Sequence, residues 1–174
     1  MEKTTELNRI GLGGGCHWCT EAVYQSLLGV QFVEQGFIAA INDEDSYSEA
    51  VIVHFDPRII PLEILIEIHL YTHESTTEHS MRDKYRSAIY TYSDTQPIEI
   101  QLIIRKLQQN FSKPIITKIL PFHKFRLSIE KFQNYYYSNP DKPFCKNYIN
   151  PKLHLLQKKF STVINADKFS SRFN

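Results

Sequence analysis

A change of rhythm between residues 8 and 28 does most to constrain how this chain can fold. NRIGL, residues 8–12, reads as a short strand; Gly13, Gly14 and Gly15 follow at once; then Trp18, Ala22, Val23, Leu27 and Leu28 recur at helical spacing. A strand that runs through glycines straight into a helix places Cys16 at the helix N-terminus. Unpaired backbone N–H groups and the positive end of the helix dipole favour a thiolate there. The glycines, lacking side chains, let backbone and substrate approach closely. A buried, inert cysteine in a glycine-rich turn is the bland alternative. A second thiol three residues on, Cys19, is hard to explain by packing alone.

The rest of the chain mixes strand and helix signals with no internal repeat. Residues 30–38 and 49–55 read as strands, the second with Ala50, Ile52 and His54 on one side and Val51, Val53 and Phe55 on the other. Asp56-Pro57 ends it, and Pro61 opens a helix, LEILIEIHLYTH, that should close near His73. RSAIYTY reads as a strand, residues 95–111 as an amphipathic helix and PIITKIL as another strand. The C-terminal third is rich in Tyr, Phe and Pro and poorly periodic. It should wrap over the core, with helices around 129–138 and 151–160. These alternations imply an α/β (α+β) two-layer sandwich with a mixed central sheet, packed helices and an irregular C-terminal segment. The 174 residues, 42% of them apolar, suffice for one substantial core. One domain over 1–174 is expected, with flexible termini at about 1–7 and 162–174.

Charge and hydropathy exclude several classes. The 20 basic and 19 acidic residues are scattered and leave a net charge of +1, so no extended basic face invites nucleic acid. No apolar run approaches the roughly 18 residues of a membrane span, and MEKTTELNRI lacks the apolar segment of a secretory signal. The expected address is the cytoplasm, with no membrane partner, and the expected state is a monomer. Three cysteines cannot all pair within one chain, and a reducing compartment keeps them free unless they take part in redox chemistry.

Two chemistries follow from the residues alone. Cys16-His17-Trp18-Cys19 is a C-x-x-C, and at a helix N-terminus it fits a dithiol-disulfide oxidoreductase in which Cys16 attacks and Cys19 resolves. No proline-bearing strand signature accompanies it. His69 and His73, one helical turn apart, with His79 nearby, suggest a zinc site, but no second C-x-x-C supports it. A histidine pair at a helix end serves as well as solvated surface or as a partner of the helix dipole. Neither a metal nor a cofactor is expected.

Five segments, in order, also resemble one family. GGGCHWCTEAVYQSLLGV is similar to the G-C-F-W-x-x-E segment of the A-type peptide methionine sulfoxide reductases. Ser48-Glu49-Ala50-Val51, with VHFDP after it, resembles their H-x-E-x-V strand ending in Y/F-D-P. HESTT resembles H-D-P-T-T, KYRSAIY resembles Q-Y-R-S-A-I-Y, and YYYSNPDKPFC resembles Y-x-x-N-P-x-x-Y-C. The match runs from about residue 9 to about 153.

The resemblance implies reduction of methionine S-sulfoxide, free or in proteins, through a cysteine sulfenic acid and a disulfide, with thioredoxin as external reductant. It places Cys16 as nucleophile, Glu49 as the acid that protonates the sulfoxide oxygen, and Tyr85 as a second donor to that oxygen. It makes Trp18 the aromatic that cradles the substrate methyl group. Cys145 matches the family's late cysteine on a mobile segment and is the first choice of resolving thiol; Cys19 is the rival. The departures are as specific. His17 stands where the family has phenylalanine and would make one pocket wall more polar. The segment AINDEDSYS is shorter than the family's loop, leaving Tyr47 as the nearest candidate for a second tyrosine donor. EHSMRD lacks the family's G-N-D-x-G pattern, and Asp83 is the only acid left there. A pocket that binds methionine sulfoxide without reducing it is the remaining alternative.

Overall fold

The computed structural model describes residues 6–169. Five strands form its centre: β1 (Asn8–Gly13), β2 (Val30–Ala40), β3 (Asp43–Phe55), β4 (Ala88–Thr91) and β5 (Lys118–Leu127). The mixed sheet foreseen from the sequence curls until its edges meet, in the order β1-β3-β2-β5-β4, with β4 pairing back onto β1. Every pairing is antiparallel except β4 with β5. Closure leaves no edge strand to seek a partner.

The alternation read in β3 sorts the two faces. Ala50 and Ile52 point into the barrel with Ile38, Ala40, Ala88 and Tyr90, a set small enough for five strands to surround. Val51, Val53 and Phe55 point outward and are buried under the helices with Ile10 and Leu12. Those helices are α1 (His17–Gln25), α2 (Leu62–Thr72) and α3 (Gln96–Leu107), joined by α4 (Tyr135–Ser138), α5 (Asn150–Lys159) and α6 (Ala166–Phe169). Pro61 stands just before α2 and Pro97 lies in the first turn of α3, positions where proline's missing N–H costs nothing.

Four expectations change. Residues 43–48, read as loop because they are polar, are the first half of β3; a two-residue turn at Ile41 and Asn42 makes β2 and β3 a long hairpin whose outer end lies in solvent. The last strand starts at Lys118 and runs through Pro121 to Leu127, since the carbonyl of Pro121 still accepts the N–H of Ile41 at 3.1 Å. The helix expected around 129–138 breaks into a 3₁₀ turn, Glu130–Phe132, and α4, because Asn134 between them is left-handed at φ 53°. Finally, of the segment expected to be loose beyond 162, residues 163–165 are bonded to the loop after α1: Val163 and Asn165 exchange backbone hydrogen bonds with Leu28 and Ser26, Ile164 bridges to Leu27, and Phe169 is buried. Positions 1–5 and 170–174 of the expected flexible ends lie outside the described residues.

One close approach fixes the barrel's girth. A Cβ added to Gly36 on β2 would lie 2.2 Å from the carbonyl oxygen of Arg126 on β5. Gly36→Ala should therefore lower stability by about 1–3 kcal/mol, the usual cost of overpacking. The midpoint of urea unfolding measures it, and a midpoint equal to that of the wild type would contradict the close approach.

Candidate active site

The three glycines divide their tasks. Gly13 gives its carbonyl to His69 Nε2 at 2.8 Å. Gly14 has φ 154°, and a Cβ there would sit 2.4 Å from the His73 ring. Around Gly15 no atom lies within 4 Å of an added Cβ, so it opens beside Cys16. His73 donates from Nδ1 to the carbonyl of His69 at 2.5 Å and meets Ser87 Oγ through Nε2 at 2.8 Å. Burial pushes His69 down to about 4 and His73 well below the usual imidazole range, so both are neutral supports of the loop. His79 stands apart, 3.8 Å from the Glu74 carboxyl. The zinc reading finds no support: among the described residues no cluster of three His, Cys, Asp or Glu side chains is placed to hold a metal ion.

Cys16 takes the N-cap position of α1. Its thiol is held below the usual range, first by a hydrogen bond from the Cys19 thiol, and further by the backbone N–H groups of Trp18 and Cys19, against burial and the nearby Glu49 charge. Cys19 is pushed far up by donating that bond and by its own burial. The pair thus loses its first proton from Cys16 and keeps the remaining one on Cys19.

Glu49 comes from the outward face of β3. Burial pushes its carboxyl up to about 7, although the Lys84 ammonium and the Tyr85 hydroxyl act to lower it. Oε1 lies 3.0 Å from His17 Nε2, whereas Oε2 is buried with no well-formed hydrogen bond among the described residues. His17 is itself buried, with Nδ1 2.7 Å from the carbonyl of Gly36. It is therefore turned behind Glu49 and does not line the cleft, contrary to its expected place in a pocket wall.

That cleft holds about 420 Å³ above Cys16, between Gly14, Gly15, Tyr85, Phe144 and Tyr148. Trp18 lies beside it under an aromatic stack: Tyr135 covers its face at 4.1 Å, and Phe144 and Phe132 pack at 5.2 Å. Tyr47 is outside the cleft, with the Arg126 guanidinium 4.3 Å over its ring. Asp83 is exposed and lines a different depression, near Asp43 and Arg86. Cys145 is fully buried in a π-helical turn, Cys145–Ile149, that runs into α5, in place of the mobile loop expected from KPFCKNY. Its thiol donates to the carbonyl of Asn139 at 3.6 Å.

Two residues that position the site carried no role in the sequence reading. Arg82, in the loop whose family pattern is missing, donates to the carbonyls of Gly14 and Tyr85, each at 3.0 Å, and to those of Thr77 and Glu74. It ties the glycine loop to Tyr85. Glu21, fully buried on α1, accepts from the backbone N–H groups of Asn134 and Tyr135 and from Gln35 Nε2. Its spacing in the C-x-x-C segment was visible; its three donors were not. Glu21→Gln weakens a charge-assisted anchor worth about 1.5–3 kcal/mol. Tyr135 should then loosen over Trp18, the chain's single tryptophan. A red-shifted, more quenchable fluorescence is expected, and an unchanged spectrum with unchanged stability would count against the anchor.

Comparison with known proteins agrees with this geometry. A family model described as peptide methionine sulfoxide reductase matches residues 8–164. The peptide methionine sulfoxide reductase MsrA of Psychrobacter sp. (strain PRwf-1) is 37% identical over 170 residues, covering 88% of this chain and 97% of that one. Among solved structures, Mxr1 from Saccharomyces cerevisiae in an unusual oxidized form superposes with a TM-score of 0.65 at 26% identity, over 80% of this chain and 86% of that chain. Mxr1 in complex with Trx2 superposes at 0.60 with 23% identity, over 76% and 88%. With a family model that spans nearly the whole chain and a relative aligned over almost its full length, this chain belongs to the peptide methionine sulfoxide reductase family.

Proposed function

We propose that this protein reduces methionine S-sulfoxide to methionine, with Cys16 as nucleophile and Glu49 as general acid. The observation that carries this reading is a lowered thiol beside a raised carboxyl in one buried site. Each suits the other, because a protonated Glu49 removes the negative charge that would otherwise raise Cys16. The Cys16 thiolate attacks the sulfoxide sulfur while Glu49 gives its proton to the oxygen, with the Tyr85 hydroxyl as second donor. In the adduct the hydroxyl passes from the methionine sulfur to the Cys16 sulfur as the S–O and S–S bonds to the methionine sulfur both break, so methionine leaves and Cys16 is left as a sulfenic acid. Methionine sulfur gains the two electrons that Cys16 loses. Trp18 acts through Phe144, whose ring it backs and which faces the substrate methyl group. Tyr47 is not given a part.

Cys19 then attacks the Cys16 sulfur, water departs, and a disulfide remains. Cys19 takes precedence over Cys145 because it already bonds to Cys16, whereas the fully buried Cys145 donates to the carbonyl of Asn139. A dithiol of the thioredoxin type restores the thiols; a neighbour of the same fold solved with Trx2 supports that choice. The three free thiols fit a reducing compartment such as the cytoplasm, and protein repair as the role. Among the described residues no helix is long and apolar enough to cross a membrane.

Two variants test the chemistry. Cys16→Ser should abolish sulfenic acid formation from a sulfoxide peptide in single turnover. Glu49→Gln, which keeps the shape but lacks the proton, should slow that step by roughly 10²-fold or more. Equal rates for Glu49→Gln and wild type would return the C-x-x-C to a general dithiol oxidoreductase, which has no use for Glu49.

The pH dependence has a definite sign. The acid works only while protonated, so the first step should decline as pH rises through about 7. On the other side it should decline where Cys16 takes up a proton, below the ordinary thiol range. A rate that climbs steadily from pH 6 to 9 would remove Glu49 as the acid.

For recycling, Cys19→Ser should leave the first turnover intact and let a sulfenic acid accumulate on Cys16, trapped by a carbon nucleophile and read by mass spectrometry. In Cys145→Ser the Cys16–Cys19 disulfide should still form. A Cys16–Cys145 disulfide formed at the wild-type rate in Cys19→Ser would reverse the order.

A further inference from the structure

His17 is buried beside Glu49, and two distances define its hydrogen bonding. A carbonyl oxygen can only accept, so the 2.7 Å contact with Gly36 requires the proton of the imidazole on Nδ1. In the neutral ring Nε2 is then a bare acceptor, and it lies 3.0 Å from Glu49 Oε1. Two acceptors cannot share that distance without a proton between them. We propose that His17 is the positioning residue of the acid: its bare Nε2 accepts the carboxylic proton of Glu49 and keeps that proton in the site until the sulfoxide oxygen competes for it.

The surroundings favour the neutral imidazole and the protonated carboxyl over an ion pair. Burial of the ring and the Lys84 ammonium both oppose a charge on His17. The edge of the ring meets Phe37 of β2 at 5.1 Å, an apolar neighbour. The charged or titratable groups that act on Glu49 are His17 and Cys16 from α1 and its cap, and Lys84 and Tyr85 from the loop before β4. Lys84 and Tyr85 favour the carboxylate; His17 offers the counterweight, a bond available only to the acid form. Release needs only the soft terminal torsion of Glu49 to turn the O–H away from Nε2.

This inference rests on the acid role proposed for Glu49, and its test reads the proton without turnover. In protein carrying ¹³C-glutamate, the carboxylic C=O band that Glu49→Gln removes is followed against pH by infrared spectroscopy. His17→Phe, which cannot accept, should move the midpoint of that band down by about one pH unit, the scale of one lost hydrogen bond to the neutral form. His17→Gln can accept through its side-chain oxygen and should stay within about half a unit of wild type. A midpoint that rises in His17→Phe means that the imidazole carries the charge, and overturns the proposal. So do equal midpoints in wild type and His17→Phe, or a His17→Gln midpoint that falls as far as that of Phe. The alkaline limb of single-turnover sulfoxide reduction should move with the band. A band that shifts without the limb would reject the acid role of Glu49 and leave the hydrogen bond standing.

Discussion

The site depends on a backbone that carries no side chains where β1 becomes α1. Gly13 lies against the backbones of β3 and the chain before β4, and Gly14 lies against His73, so the loop approaches α2 more closely than any larger residue allows. That approach is locked by polar bonds: His69 to the carbonyl of Gly13, Arg82 to that of Gly14. Both supports are buried or partly buried, where an unpaired carbonyl would be costly. The result is a fixed direction for the first turn of α1, and the Cys16 thiol inherits its donors from that direction.

A second constraint is electrostatic. Cys16 and Glu49 are close enough that each charge opposes the other, and both are largely out of water. The helix N-terminus with the Cys19 thiol favours the charge on sulfur, and burial favours the uncharged form of the carboxyl. A single network therefore lowers the thiol and raises the carboxyl, each away from its ordinary value.

Much of this was legible in the sequence. The strand, glycine loop and helix from Asn8 to Gln25 followed from periodicity, and so did Cys16 at the cap, because local spacing determines local structure. The outward face of β3 that carries Glu49 was visible as alternation. The polar half of β3 was not, since residues 43–48 lie in solvent and show no apolar period; only pairing with β2 makes them a strand. Proximity across the chain was hidden as well. Nothing near position 17 announces a carboxyl 32 places on, and nothing in EHSMRD announces that Arg82 reaches the carbonyl of Gly14. Such contacts are set by barrel closure and not by spacing.

The π-helical turn from Cys145 to Ile149 has a mechanical consequence. Cys145 is sealed in the core, while its neighbour Phe144 forms part of the cleft and presses edge-on against Trp18. Adjacent residues share one backbone, so bringing the thiol to the surface by unwinding the turn pulls on the residue that carries the ring. Unwinding the turn that seals the third cysteine therefore strains the aromatic wall of the cleft as well, so the buried sulfur and the lining of the cleft are held by the same few residues.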